Sequence, residues 1–150
     1  MKTTKLNVFI VDDNLLMCRV LKQYLQNKFN INITIFESGE SCLERIDSQT
    51  HLVILDYFLN GRNGLDILKL IKAINPKIEV IMLSNNSEPK VTSMLLKAGA
   101  KDYVLKGKES WKKITEVVSI LIKNTNTNSI WKRIINILKQ FFKWNRKSKD

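Results

Sequence analysis

At 150 residues, 44% hydrophobic and 26% charged, the chain is sized for one soluble globular domain with a single core. Met1 to Lys5 is polar and the apolar run Val8 to Val11 is too short for a signal or spanning helix, while Cys18 and Cys42 sit in helical patterns without metal-ligand spacing; a cytoplasmic protein with reduced thiols is expected. The net charge of +11 is uneven: residues 1–123 hold 18 Lys and Arg against 13 Asp and Glu, whereas residues 124–150 hold seven basic residues against Asp150 alone, so an acidic partner is expected for the tail, whether membrane, nucleic acid or protein.

Leu6 to Val11 reads as an apolar strand running into Asp12 and Asp13, and Asn14 suits the N-cap of a helix. In that helix Leu15, Leu16, Cys18, Val20, Leu21, Tyr24, Leu25 and Phe29 recur at helical spacing. Ile31 to Phe36 alternates with Asn32 and Thr34 like an edge strand, and Glu40 to Ser48 reads as a short helix with Cys42, Leu43 and Ile46 on one stripe. In His51 to Phe58, Leu52, Val53, Ile54 and Leu55 run unbroken into Asp56, as in a strand buried on both faces. His51, the only histidine, reads as a solvated residue at the start of that strand.

Asn60 to Gly64 is a turn-rich loop, and Leu65 to Ile74 is a helix with Leu65, Ile67, Leu68, Ile71 and Ile74 inside, stopped by Asn75 and Pro76. Ile78 to Leu83 is a fourth strand ending on Ser84, and Pro89 opens a helix that runs to Ala98 and closes on Gly99. Tyr103 to Leu105 is a short fifth strand ending on Lys106, and Trp111 to Ile122 is a fifth amphipathic helix. Strict strand and helix alternation predicts a doubly wound α/β sandwich around a five-stranded parallel sheet.

Parallel strands present their carboxyl ends at one edge, so Asp12, Asp13, Asp56, Ser84 and Lys106 are expected to converge there. Three carboxylates repel unless a cation sits among them, and hard oxygen ligands in this number suit Mg²⁺. A carboxylate nucleophile beside Mg²⁺ and a lysine suggests phosphoryl chemistry with an aspartyl phosphate, with Ser84 donating to the phosphoryl group. No Walker-type or GxGxxG loop is present to bind a nucleotide by those routes.

These residues resemble the receiver domain of two-component response regulators, of the chemotaxis-regulator type. The resemblance covers about residues 5–123 and rests on Asp12-Asp13 after a strand, Asp56 closing LVILD, Asn63-Gly64 beyond it, Ser84 closing VIMLS, and the AGAKDYVLK stretch ending on Lys106. It implies the flavodoxin-like, receiver-type sandwich and a non-enzymatic signalling switch in which Asp56 accepts a phosphoryl group from a sensor histidine kinase or a phosphotransfer protein. It further implies Mg²⁺ ligation by Asp13, Asp56 and the backbone carbonyl of Phe58, with Asp12 helping through water. Lys106 would pair with the carboxylate or phosphoryl group, Ser84 and Tyr103 would act as switch residues, and the face made by the fourth helix, fifth strand and fifth helix would carry the readout or a homodimer contact. The chain departs from the family pattern at Gly107 and Asn60, where proline is usual, and at Asn85, where a small residue is usual; these bear on the rate and lifetime of phosphorylation. Two other readings of the residues are a phosphorylation-independent interaction module and a metal-dependent phosphatase, the latter opposed by Phe58 standing where an aspartate is usual.

Asn124 to Ser129 is expected to be a polar linker between the receiver and a basic amphipathic helix and tail at 130–150. Ile130, Trp131, Ile134, Ile135, Leu138, Phe141 and Phe142 share one stripe, opposite Lys132, Arg133, Asn136, Lys139, Gln140 and Lys143, followed by Trp144, Arg146, Lys147 and Lys149. Residues 130–144 are suited to a second copy, the receiver's own surface, a membrane surface or a partner groove, which would make the protein peripheral at the membrane in one case; DNA is the least favoured partner, because no recognition-helix pair is visible.

Overall fold

The computed structural model describes residues 5–60 and 62–147, without the side chains of residues 129 and 141–147. Gly61, Lys149, Asp150 and the side chains of Phe141, Phe142, Lys143, Trp144, Arg146 and Lys147, all part of the sequence reading, lie outside that description. Strands and helices alternate as β1 (Asn7–Val11), α1 (Leu15–Lys28), β2 (Asn32–Phe36), α2 (Gly39–Leu43), β3 (Leu52–Asp56), α3 (Gly64–Ile74), β4 (Glu79–Ser84), α4 (Pro89–Lys97), β5 (Asp102–Leu105) and α5 (Ser110–Lys147). The sheet is parallel throughout, in the order β2-β1-β3-β4-β5, so β2 is an edge and β3 the centre.

Because β3 is covered on both faces, its residues need no polar alternation. Val53 and Leu55 pack with Ile67, Leu68 and Ile71 of α3 and Cys42 of α2 on one face. Leu52 and Ile54 pack with Cys18, Leu21 and Leu25 of α1 and Ile114 and Val118 of α5 on the other. All four strand residues are fully buried, each worth roughly 1.5–3 kcal/mol of transfer free energy. Both cysteines are free and buried; burial pushes the Cys18 thiol up to about 11 and the Cys42 thiol up to about 12, so neither is a reactive thiolate.

Local chemistry sets the helix ends. Asn14 Oδ1 accepts the Met17 N–H at 3.1 Å and caps α1, and Gly99 (φ 104°) closes α4 in a conformation that favours glycine. Pro89 opens α4 without a side-chain cap.

Four expectations need correction. α2 stops at Leu43 rather than Ser48, because Asp47 turns the chain: its carboxylate accepts from the Gln49 N–H and the Thr50 hydroxyl, a local alternative to helix. Ile74, read as inside α3, is 55% exposed, and Leu16 and Val20, which recur at helical spacing in α1, are 73% and 42% exposed. His51 is half-buried, and its Nδ1 accepts the Asn7 N–H at 3.1 Å, continuing the β1–β3 ladder. Residues 124–129 form no linker: α5 runs unbroken for 38 residues from Ser110 to Lys147. Asn, Thr and Ser are weak helix formers rather than breakers, and the stretch holds neither Gly nor Pro. Thr125 and Thr127 satisfy their hydroxyls by donating to the carbonyls of Leu121 and Lys123 four residues back.

Candidate functional site

The carboxyl edge of the sheet gathers the polar residues that follow or close its strands. Asp12 and Asp13 follow β1, Asp56 closes β3, Ser84 closes β4 and Lys106 follows β5. Register sets them side by side, with Asp56 paired to Leu83 and Ser84 to Leu105. Asp12 and Asp56 are only 2% and 4% exposed, whereas Asp13 faces solvent. One carboxylate oxygen from each of Asp12, Asp13 and Asp56 lies within 4.8 Å of the others.

Lys106 Nζ reaches between two of them, 2.8 Å from Asp12 Oδ2 and 3.1 Å from Asp56 Oδ2. Asp12 is held at its other oxygen by the Asn14 N–H at 2.9 Å. Burial, with Asp12 beside it, pushes the Asp56 carboxyl above its ordinary value, while Lys106 and the Phe58 backbone oppose that shift. Burial disfavours a charged Lys106, but its hydrogen bonds to Asp12 and Asp56 outweigh that and hold the ammonium more firmly protonated than usual. One ammonium against three carboxylates leaves an excess of negative charge on hard oxygen donors, the donor set that a Mg²⁺ ion fits.

The β3–α3 loop is folded tightly against the end of β3. The Gly64 N–H donates to the Tyr57 carbonyl at 2.9 Å, Phe58 and Asn63 form an isolated antiparallel bridge, and Asn63 Oδ1 caps α3 by accepting the Leu65 N–H. A Cβ on Gly64 would stand 2.6 Å from the Asp56 carbonyl oxygen and 2.8 Å from Tyr57 Cα. Only a residue without a side chain lets the loop return this closely to Asp56.

Ser84 is fully buried, and its Oγ accepts the Asn86 N–H at 3.0 Å, so its hydroxyl is tied into its own loop. Tyr103 lies inward, and its hydroxyl donates to the Asn86 carbonyl. Asn86 therefore links the two residues read as switches, a role that the sequence reading passed over. Its signal is a hydroxyl two residues earlier at a strand end, the spacing of a serine turn. Phe58 sits two residues beyond Asp56 with its ring 59% exposed.

Residues 8–119 match the family model described as the response regulator receiver domain. The chain belongs to that family. The receiver is 32% identical over 102 residues to the transcriptional regulatory protein ZraR of Escherichia coli, a match spanning 67% of this chain and 23% of ZraR. It is 33% identical over 103 residues to the transcriptional regulatory protein MalR of Bacillus subtilis, spanning 67% of this chain and 44% of MalR. The chain thus matches less than half the length of these two regulators. Among solved structures, the BeF3-activated DrrB receiver domain is 26% identical with a TM-score of 0.71, covering 79% of this chain and 98% of that one. The response regulator TrrA of Thermotoga maritima, in complex with Mg²⁺ and BeF, is 28% identical with a TM-score of 0.68, covering 77% and 98%. The five-stranded receiver sandwich read from the sequence is the fold observed, with the C-terminal helix present as a continuation of α5.

Proposed function

We propose that the receiver is a phosphorylation-controlled signalling switch in which Asp56 accepts a phosphoryl group from the phosphohistidine of a sensor kinase or a phosphotransfer protein. The reading rests on the buried Asp56 carboxylate at the end of β3, joined to Asp12 through Lys106 Nζ and clustered with Asp13. In the transfer an Asp56 oxygen attacks phosphorus, the phosphorus–nitrogen bond breaks and the imidazole leaves. Asp13, Asp56 and the backbone carbonyl of Phe58 would hold Mg²⁺, with Asp12 acting through water. When bound, the ion neutralises charge on the transferring oxygens.

Lys106 stays beside Asp56 and stabilises the added phosphoryl oxygens. Ser84 Oγ, occupied as an acceptor, keeps its hydrogen for donation to the phosphoryl group. Movement of Ser84 reaches Tyr103 through Asn86, so the face of α4, β5 and α5 carries the readout and offers the surface on which two copies could pair. The chain acts as an acceptor rather than as an enzyme on a separate substrate.

Intact-mass measurement after incubation with a small phosphodonor and Mg²⁺ tests the reading. Wild type gains the mass of one phosphoryl group and Asp56→Asn gains none; an unmodified wild type, or an adduct that survives Asp56→Asn, refutes it.

A further inference from the structure

Residues 117–149 contain eight Lys and Arg and no Asp or Glu. Seven of the eight lie on α5, which has two apolar faces. At its docked end Ile114 and Val118 are buried against the sheet, with Trp111, Val117, Leu121 and Ile122 packed beside them. Further along, Ile130, Trp131, Ile134, Ile135, Ile137 and Leu138 are 39% to 64% exposed. At about 100° per residue the second face points roughly 160° away from the first, so an unbroken α5 turns it away from the receiver body.

A second copy is a poor cover for this face. Paired tails over residues 124–147 would bring six like charges against six, with no acidic residue in either segment to form a cross-helix ion pair. The face also covers nearly half of the helix circumference, wider than the narrow anchor stripe by which a helix enters a protein groove, and suited to a flat apolar surface. Lys132 lies on the opposite side, with Arg133 and Lys139 flanking the two margins of the face. Among the described residues no helix is long and apolar enough to cross a membrane, so this one fits the plane of an interface.

We propose that residues 124–147 form an interfacial helix that lays this apolar face on an anionic lipid bilayer. Charge complementarity selects the surface: acyl chains receive Ile, Leu and Trp, and anionic headgroups surround the lysines and arginines. The rigid continuation into α5 fixes the rest of the geometry. Lys112, Lys113, Lys123, Glu116 and Ile120, all exposed, lie on the same side of α5 as the tail's apolar face and turn to the headgroups, while the receiver body is held on the far side of the helix. This inference is independent of phosphorylation at Asp56, and Asp56→Asn is expected to bind lipid like wild type.

The test uses the full chain with vesicles of phosphatidylcholine alone or mixed with phosphatidylglycerol, read by sedimentation and by the blue shift of tryptophan emission. Binding to the mixed vesicles alone, weakened by added salt, is expected. The exposed pair Ile134→Glu with Leu138→Glu should abolish it. Neutralising Lys132, Arg133 and Lys139 to Gln should weaken partitioning about a hundredfold. An unchanged urea midpoint in both variants shows that the receiver remains folded. Equal sedimentation with both vesicle types overturns the proposal, as does full binding by the Glu pair. Sedimentation with neither, the outcome that an acidic protein groove predicts, overturns it too, as does a stable solution dimer that the Glu pair dissolves.

Discussion

Lys106 stands between two buried carboxylates, and its removal leaves Asp12 and Asp56 facing each other without a counter-charge. Lys106→Met is expected to destabilise the receiver by roughly 2 kcal/mol in chelator, measured by urea unfolding, with part of the loss recovered when Mg²⁺ is added. His51 carries a pH dependence of opposite origin. Its Nδ1 accepts the Asn7 N–H, which only the unprotonated nitrogen can do, and burial lowers its pKa from 6.5, with Asp47 opposing. A base whose folded pKa is depressed contributes fully above the unfolded value and loses that contribution as pH falls below it towards the folded one. The urea midpoint of wild type should therefore drop more than that of His51→Gln between about pH 7 and about pH 5. Asp12, Asp13, Asp56 and Lys106 were legible as a convergent cluster because each follows or closes a strand of one parallel sheet. His51 and Asn86 were not, because each is defined by a partner on another segment, Asn7 for one and Tyr103 for the other.

At the scale of elements, the β3–α3 turn shows how closely backbone and site are fitted. Gly64→Ala should cost about 2 kcal/mol or more and slow phosphorylation, since the methyl meets the backbone of Asp56 and Tyr57, whereas Gly107→Ala, with open space around it, should be neutral or stabilise by up to about 1 kcal/mol. Paired urea unfolding curves separate the two cases. Strand cores and helix caps were readable from apolar runs, Asn14 and Gly99, because those signals are local. Two helix ends were misread for one reason: Asn, Thr, Ser and Asp compete with helical hydrogen bonding without forbidding it, and the side-chain bonds decide. Asp47 bonds into its own turn and ends α2, while Thr125 and Thr127 bond back along α5 and let it continue. Asn128→Pro should therefore reduce the far-ultraviolet helix signal while leaving the receiver's urea midpoint unchanged, because Asn128 is exposed and beyond the docked end.

For the whole molecule, the negative excess at one sheet edge predicts linkage between metal and stability. Mg²⁺ at about ten times its dissociation constant should stabilise the folded chain by about 1.4 kcal/mol, visible as a rise in melting temperature, and Asp13→Asn should remove most of that gain. The alternation of five strands with five helices was evident from sequence because the sheet buries both of its faces under helices; the path of the tail was not, because it depends on whether one helix continues or restarts. Its point of exit follows from the topology. Ile122, Thr125 and Asn126 border the same surface cleft as Lys5, Leu6 and Phe29, at the end of the sheet opposite Asp56, so the approach of a phosphodonor to the acidic edge is left open.

The unbroken α5 is also a lever. Its overhang of 24 residues from Asn124 to Lys147 spans about 36 Å, so a tilt of about 10° at the docked end carries the far end by about 6 Å. A shift too small to alter the packing of Ile114 and Val118 is thereby magnified at a distance, and by the same mechanics whatever grips the far end gains leverage on the face beside β5.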